Sequence, residues 1–120
     1  MNTEEIRIYC LNKKGVTEGF PFDDTTLVFK VMNKIFALMR LDEIASINLK
    51  CDPELAIELR ERFDFVIPGY HMNKQHWNTI QIDSYMDNSL IREWIDHSYE
   101  LIVSKLPQKT KLVLLDLENH

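Results

Sequence analysis

Thr25-Thr26-Leu27-Val28-Phe29-Lys30-Val31-Met32-Asn33-Lys34-Ile35-Phe36-Ala37-Leu38-Met39-Arg40-Leu41 is the stretch that decides the fold. Leu27, Phe29 and Val31 alternate with Thr26, Val28 and Lys30, the period-two pattern of a strand with one buried face. Asn33-Lys34 reads as a hairpin turn, because asparagine tolerates positive φ. Ile35 to Leu41 is then the returning strand, and Asp42-Glu43 is the next turn. Ser46 to Cys51 repeats the pattern, with Ile47, Leu49 and Cys51 on one face. Consecutive strands joined by short turns make an antiparallel meander.

Helical signals flank the meander. Thr3 as N-cap, Glu4 and Glu5 in the first turn, and Ile6, Tyr9 and Cys10 at helical spacing predict a helix from Thr3 to Lys14, stopped by Gly15. Gly19-Phe20-Pro21-Phe22-Asp23-Asp24 is an extended segment running into a turn. Asp52-Pro53-Glu54 opens a second helix with Asp at the N-cap and Pro at the first helical position, and Arg60 and Arg62 suit its end. Phe63 to Ile67 and Trp77 to Ile82 are predicted strands. Asp87-Asn88-Ser89 caps a long helix that runs to Leu106 and stops at Pro107. Its apolar residues cover a wide arc, as in a helix laid across a sheet.

The expected fold class is α/β of the α+β kind, a two-layer sandwich. An antiparallel β-meander sheet carries helices on one face and leaves the other partly exposed. Met1 to Gln108 is expected to form a single domain. Lys109 to His120, with its run Leu112-Val113-Leu114-Leu115, is expected to be an apolar C-terminal extension that adds an edge strand or meets a partner chain.

Composition narrows the function classes. The chain has 120 residues, is 45% hydrophobic and carries a formal charge of −5. That is one globular domain, without a run long enough to span a bilayer. The acidic N-terminus lacks an apolar signal core, and two cysteines, Cys10 and Cys51, make no disulfide framework. A cytoplasmic location with reduced thiols is expected. A chain this acidic repels polyanions as a whole, so any nucleic-acid surface must be a local basic patch.

Polar chemistry concentrates in Pro68-Gly69-Tyr70-His71-Met72-Asn73-Lys74-Gln75-His76-Trp77-Asn78-Thr79. A loop pinned by aromatics and presenting polar groups on one surface fits this composition. Tyr70, His71, Asn73, Lys74, His76 and Asn78 form the candidate ligand or nucleic-acid site. Lys74 would meet phosphate, the asparagines would make two-way hydrogen bonds, and the aromatics would offer a stacking surface. The competing reading has His71 and Asn73 tying the loop to its own backbone while Trp77 fills core. Lys30 and Lys50 join the candidate set as strand lysines able to make a positive patch with Lys74; otherwise they belong to a solvated sheet face.

Other chemistry finds little purchase. His71, His76, His97 and Cys51 match no recognised zinc spacing, so no metal or other cofactor is expected. Cys51 precedes a helix start, where a thiolate would be favoured, but it shares the buried alternation of Ile47 and Leu49. No Ser–His–Asp set, glycine-rich phosphate loop or paired carboxylates is visible, so no enzyme is expected.

Several strings together resemble one family. They are Phe20-Pro21-Phe22; Leu27-Val28-Phe29-Lys30-Val31 with Phe36-Ala37-Leu38; Asn48-Leu49-Lys50-Cys51-Asp52-Pro53; Tyr70-His71-Met72-Asn73-Lys74 with His76-Trp77; and Ser98-Tyr99-Glu100-Leu101 before Lys105-Leu106-Pro107. From about Glu4 to Lys109 the chain resembles the MmcQ/YjbR-like family of small bacterial proteins. The resemblance implies a CyaY-like architecture and DNA binding through a double wing of β-hairpins. Relatives of that fold bind iron on an acidic helix, but the first helix here offers only Glu4 and Glu5, followed by Arg7. The leading expectation is a non-enzymatic DNA-binding module. The alternative is a protein-interaction or chaperone-like module, using the open sheet face and the tail to bind a partner or a second copy.

Overall fold

The computed structural model describes residues 1–42, 45–69, 72–83 and 86–117. In chain order its elements are α1 (Thr3–Leu11), β1 (Val16–Gly19), β2 (Thr26–Val31), β3 (Lys34–Arg40), β4 (Ser46–Lys50), α2 (Pro53–Arg62), β5 (Val66–Pro68), β6 (Trp77–Gln81), α3 (Asn88–Ser104) and α4 (Gln108–Asp116). The six strands form one antiparallel sheet in the order β1-β2-β3-β4-β6-β5. The α+β expectation holds, with the meander β1 to β4 making four consecutive strands of the six.

Strand parity divides the sheet into two faces. Leu27, Met39, Ile47, Ile80 and Val66 lie side by side across five strands. They belong to one core with Ile6 and Cys10 of α1, Ala56 and Leu59 of α2, Ile91, Trp94, Ile95 and Ile102 of α3, and Leu114 of α4. The helices therefore share one face. α3 buries Ile91, Trp94, Ile95, Ser98 and Ile102, a single stripe at spacings of three and four. On the opposite face Val28, Leu38, Asn48 and Thr79 are neighbours across β2, β3, β4 and β6. Asn48 and Thr79 are buried, and the Thr79 hydroxyl donates to Asn48 Oδ1.

The regular ladder breaks once. Phe29 pairs with Ala37 but Lys30 pairs with Ile35, so Phe36 is an extra residue in β3. The bulge turns both Phe36 and Ala37 into the core. It also ends the pairing of β3 with β4 at Ala37 and Leu49. Ser98, fully buried on α3, fills the gap: its hydroxyl donates to Phe36 O at 2.6 Å and accepts from the Lys50 N–H at 2.9 Å. One side chain thus satisfies two backbone groups that the bulge leaves without ladder partners.

The structure departs from the sequence expectation at several ends. Asn2, not Thr3, caps α1, in a capping box with Glu5. The β2–β3 turn centres on Met32 and Asn33, at φ 48° and 69°, so β3 begins at Lys34. Val16–Gly19, not anticipated as a strand, pairs with β2 as the sheet edge. The tail, expected to add an edge strand or meet a partner chain, is helix α4 and not a strand. It buries Leu114 against Gly15, whose φ of 74° suits glycine; a Cβ there would stand 2.5 Å from Leu114 Cδ1. Lys14 Nζ donates to Leu115 O at 2.9 Å near the C-terminal end of α4. Tyr99 Oη donates to Lys14 O at 2.6 Å, tying α3 to the same corner. Nearby, the Lys13 ammonium lies 5.0 Å and 5.1 Å from the ring centres of Tyr9 and Tyr99 and pairs with Asp96. Burial, and then the bond to Asp96, push the Tyr9 hydroxyl up to about 12.

Ser98→Ala should lower stability by about 1–3 kcal/mol, since it strands a buried carbonyl and a backbone N–H. Ser104→Ala, which removes only an exposed bond to Leu101 O, should change it by less than about 0.5 kcal/mol. Urea unfolding of both variants checks the difference.

Candidate functional site

The loop between β5 and β6 is held mostly by its own polar groups. Gly69 N–H donates to Trp77 O at 2.9 Å, and His76 N–H to Asn73 O at 3.2 Å. Asn73 Oδ1 accepts from Gln75 N–H at 2.9 Å, which is an Asx turn. Lys74 Nζ donates to Gly69 O at 3.0 Å, so the lysine expected to meet phosphate closes the loop on itself. His76 is half-buried, and its carbonyl accepts from Cys51 N–H at 2.7 Å. Asn78 is 1% exposed and faces α2, not solvent. Its Oδ1 accepts from Arg60 Nε at 2.6 Å and its Nδ2 donates to Ala56 O at 3.3 Å. Tyr70 and His71, also in the candidate set, lie outside the described residues.

Arg60 is the clamp that the sequence reading missed. Its guanidinium reaches Asn78 Oδ1, Lys74 O and, at 3.2 Å, Trp77 O. A planar fork can meet three acceptors in fixed directions, which an ammonium cannot. In the sequence Arg60 looked like a charge suited to the end of α2. Only the fold shows that its three acceptors lie on another segment.

The strand lysines behave differently. β2 and β4 run parallel to each other, so Lys30 near the end of β2 and Lys50 at the end of β4 share one end of the sheet. Lys34 begins β3 at that same end. α3 passes over it at Ser98 and reaches Lys105 at its C-cap. Burial of the Lys50 stem, then the adjacent positive charge of Lys105, lower the pKa of Lys50. Two ammonium groups are therefore neighbours. Among the described residues, ion pairs engage Arg7, Lys13, Arg40 and Arg62, and none reaches Lys30, Lys34, Lys50 or Lys105. The opposite end collects acid: Asp23 and Asp24 precede β2, Asp42 follows β3, Asp83 follows β6 and Asp87 caps α3.

The remaining reactive groups sit in structural roles. Burial first, and then the charge of Asp52, push the Cys51 thiol up to about 11, the opposite of an activated nucleophile. Burial pushes Cys10 up to about 12. His97 Nε2 accepts from Asp52 N–H at 3.2 Å, so that nitrogen serves the start of α2. Among the described residues, no three His, Cys, Asp or Glu side chains are grouped to hold a metal ion. Nor is any helix long and apolar enough to cross a membrane.

Arg60→Lys should lower stability by about 1–3 kcal/mol and speed amide exchange at Gly69 and His76 more than at Leu38 or Leu49. Unchanged exchange at Gly69 would show that the loop does not need the guanidinium.

Comparison with known proteins agrees with this architecture. The family model described as YjbR matches residues 11–101. The "Uncharacterized protein YjbR" of Escherichia coli (strain K12) is 32% identical over 118 residues, covering 98% of this chain and 100% of that protein. The "Uncharacterized protein YyaQ" of Bacillus subtilis (strain 168) is 35% identical over 75 residues, 62% of this chain and 63% of that protein. The crystal structure of Deinococcus radiodurans protein DR2400, described with a DUF419 domain, superposes with a TM-score of 0.89. It has 32% identity and covers 99% of this chain and 91% of that one. A crystal structure of a Pseudomonas syringae protein superposes with a TM-score of 0.75 at 27% identity, covering 84% and 98%. The chain belongs to the YjbR family.

Proposed function

We propose that this chain is a non-enzymatic nucleic-acid-binding module that uses the lysine-bearing end of its sheet. The nearness of Lys50 to Lys105 at one end of the sheet, with no carboxylate ion pair to either among the described residues, is the observation that carries the reading. Neighbouring ammonium groups repel, by about 1 kcal/mol at 4 Å in water and more where solvent is partly excluded. A phosphate between them would turn that cost into attraction. Lys30 and Lys34 extend the positive surface. The net charge of −5 does not prevent this, because screening over about 8 Å at physiological salt leaves the nearest charges in control. Asp23, Asp24, Asp42, Asp83 and Asp87 lie toward the far end of the sheet, against Asp52 two residues after Lys50, and that imbalance would orient the approach of a polyanion. Relative to the sequence expectation, this reading keeps Lys30 and Lys50, adds Lys105, and leaves out Asn73, Lys74 and Asn78, which are engaged within the fold.

A second reading, a protein-interaction module, has its own observation. α4 buries Leu114 but leaves Leu112, Val113, Leu115 and Leu117 exposed. Surface of that kind suits a partner chain or a second copy.

Fluorescence anisotropy with labelled nucleic acid at two salt concentrations separates the two. The nucleic-acid reading expects affinity to fall steeply as salt rises from about 50 to 200 mM. Lys50→Ala and Lys105→Ala should each lower the salt slope by about 1, and Lys74→Ala should leave it unchanged. Absence of binding at low salt would overturn it. The interaction reading instead expects salt-insensitive self-association or partner capture, abolished by Leu112→Ser with Leu115→Ser.

A further inference from the structure

The connection between β1 and β2 carries two aromatic rings into solvent: Phe20 is 50% exposed and Phe22 66%. The segment is fixed at both ends. Gly19 pairs with Val28 across the ladder. Asp23 Oδ1 accepts from the N–H groups of Thr25 at 3.0 Å and Thr26 at 2.7 Å, and Asp23 Oδ2 accepts from Thr26 Oγ1 at 3.1 Å. These bonds hold the Asp23 carboxyl below the usual carboxylate range. The rings are thus displayed by a built turn. A scattered surface phenylalanine needs no explanation. Here, however, ring, cation and cavity coincide. Phe20 and Pro21 wall a groove of about 360 Å³ that includes Val28, with Lys30 and Asn33 also lining it. Strand parity puts Val28 and Lys30 on the face away from the helices. Glu18 also lines the groove, but Arg7 neutralises it through two bonds of 2.7 Å and 2.6 Å.

We infer that this groove takes an unpaired nucleobase stacked on Phe20, so that the nucleic acid bound is single-stranded; the inference rests on the nucleic-acid reading above. The volume lies near the lower end of small-ligand sites, about 300–1,000 Å³, which is room for a base and its sugar. In a duplex the base faces are already stacked on each other, and only a splayed base can lie against an aromatic ring. The Asn33 amide offers both donor and acceptor to a base edge. Lys30 supplies the phosphate contact, and Lys34, Lys50 and Lys105 lie at the same end of the sheet for the phosphates that follow. Asp23, next to Phe22 in the chain, disfavours phosphate at the other end. The nucleotide is therefore oriented with its base toward Phe20 and its phosphate toward Lys30.

The test compares a labelled oligothymidylate of about 10 nucleotides, within the range of about 4–16 typical of one small domain, with a blunt duplex of the same length. The single strand should bind at least about tenfold more tightly. Phe20→Ala should weaken single-strand binding about 5- to 150-fold, as expected for losing one stacked base, and leave weak duplex binding unchanged. Phe20→Trp should restore the platform. Phe20 is half exposed, so the melting temperature of Phe20→Ala should stay near that of the parent, and Leu112→Ala serves as an exposed apolar control on α4. Equal affinity for duplex and single strand, or unchanged single-strand binding by Phe20→Ala, overturns the base site while the nucleic-acid reading stands. Binding of neither form at low salt overturns both.

Discussion

The hydroxyl of Ser98 sits where the sheet would otherwise fail. The extra residue in β3 brings Phe36 into the core, and its carbonyl then finds no ladder partner on β4. Lys50 N–H, at the end of β4, faces the same gap. By donating to one and accepting from the other, Ser98 joins β3, β4 and α3 at a single point. That point sets how far α3 projects past the sheet, and so sets Lys105 beside Lys50. The bulge, the buried serine and the lysine pair are one construction. An aromatic contact supports it, with Tyr99 meeting Phe36 edge-on at 5.5 Å.

How much of this was legible depended on whether the signal was local. The alternation of Leu27, Phe29 and Val31, and of Ile47 and Leu49, reports burial on one face directly, so the meander could be read. Asp52-Pro53 marked the start of α2, though the Asp52 side chain makes no capping bond. The tail misled because Leu112-Val113-Leu114-Leu115 has no period. Its state follows from where it docks, and only Leu114 finds a buried place, over Gly15. β1 was hidden by its length of four residues and by its edge position, where only one neighbour fixes it. The bulge left no local trace, because Phe36 and Ala37 both look like ordinary strand residues.

The candidate site was half legible for the same reason. A loop dense in asparagine, lysine and histidine looks like a ligand surface, yet its backbone has the first claim on those groups. Asn73, Lys74 and Asn78 are engaged by Gly69, Gln75, Ala56 and Arg60. Lys30 followed from alternation alone and lies where expected. The nearness of Lys50 to Lys105, some fifty residues apart in the chain, could only come from the fold. The result is a protein with a separated charge distribution. Carboxylates gather where β2 begins, and lysines gather where it ends. The acidic total conceals the lysine-bearing end of the sheet.

Amide chemical-shift mapping of the ¹⁵N-labelled protein against a short single-stranded oligonucleotide tests the central claim most directly, because it asks where the ligand sits. The account predicts shifts at Gly19, Phe20, Lys30, Asn33, Lys50 and Lys105, on one continuous surface at the lysine end and the β1–β2 groove. Shifts confined to the segment of Asn73 to Asn78 or to α4, or no shifts at low salt, would contradict it.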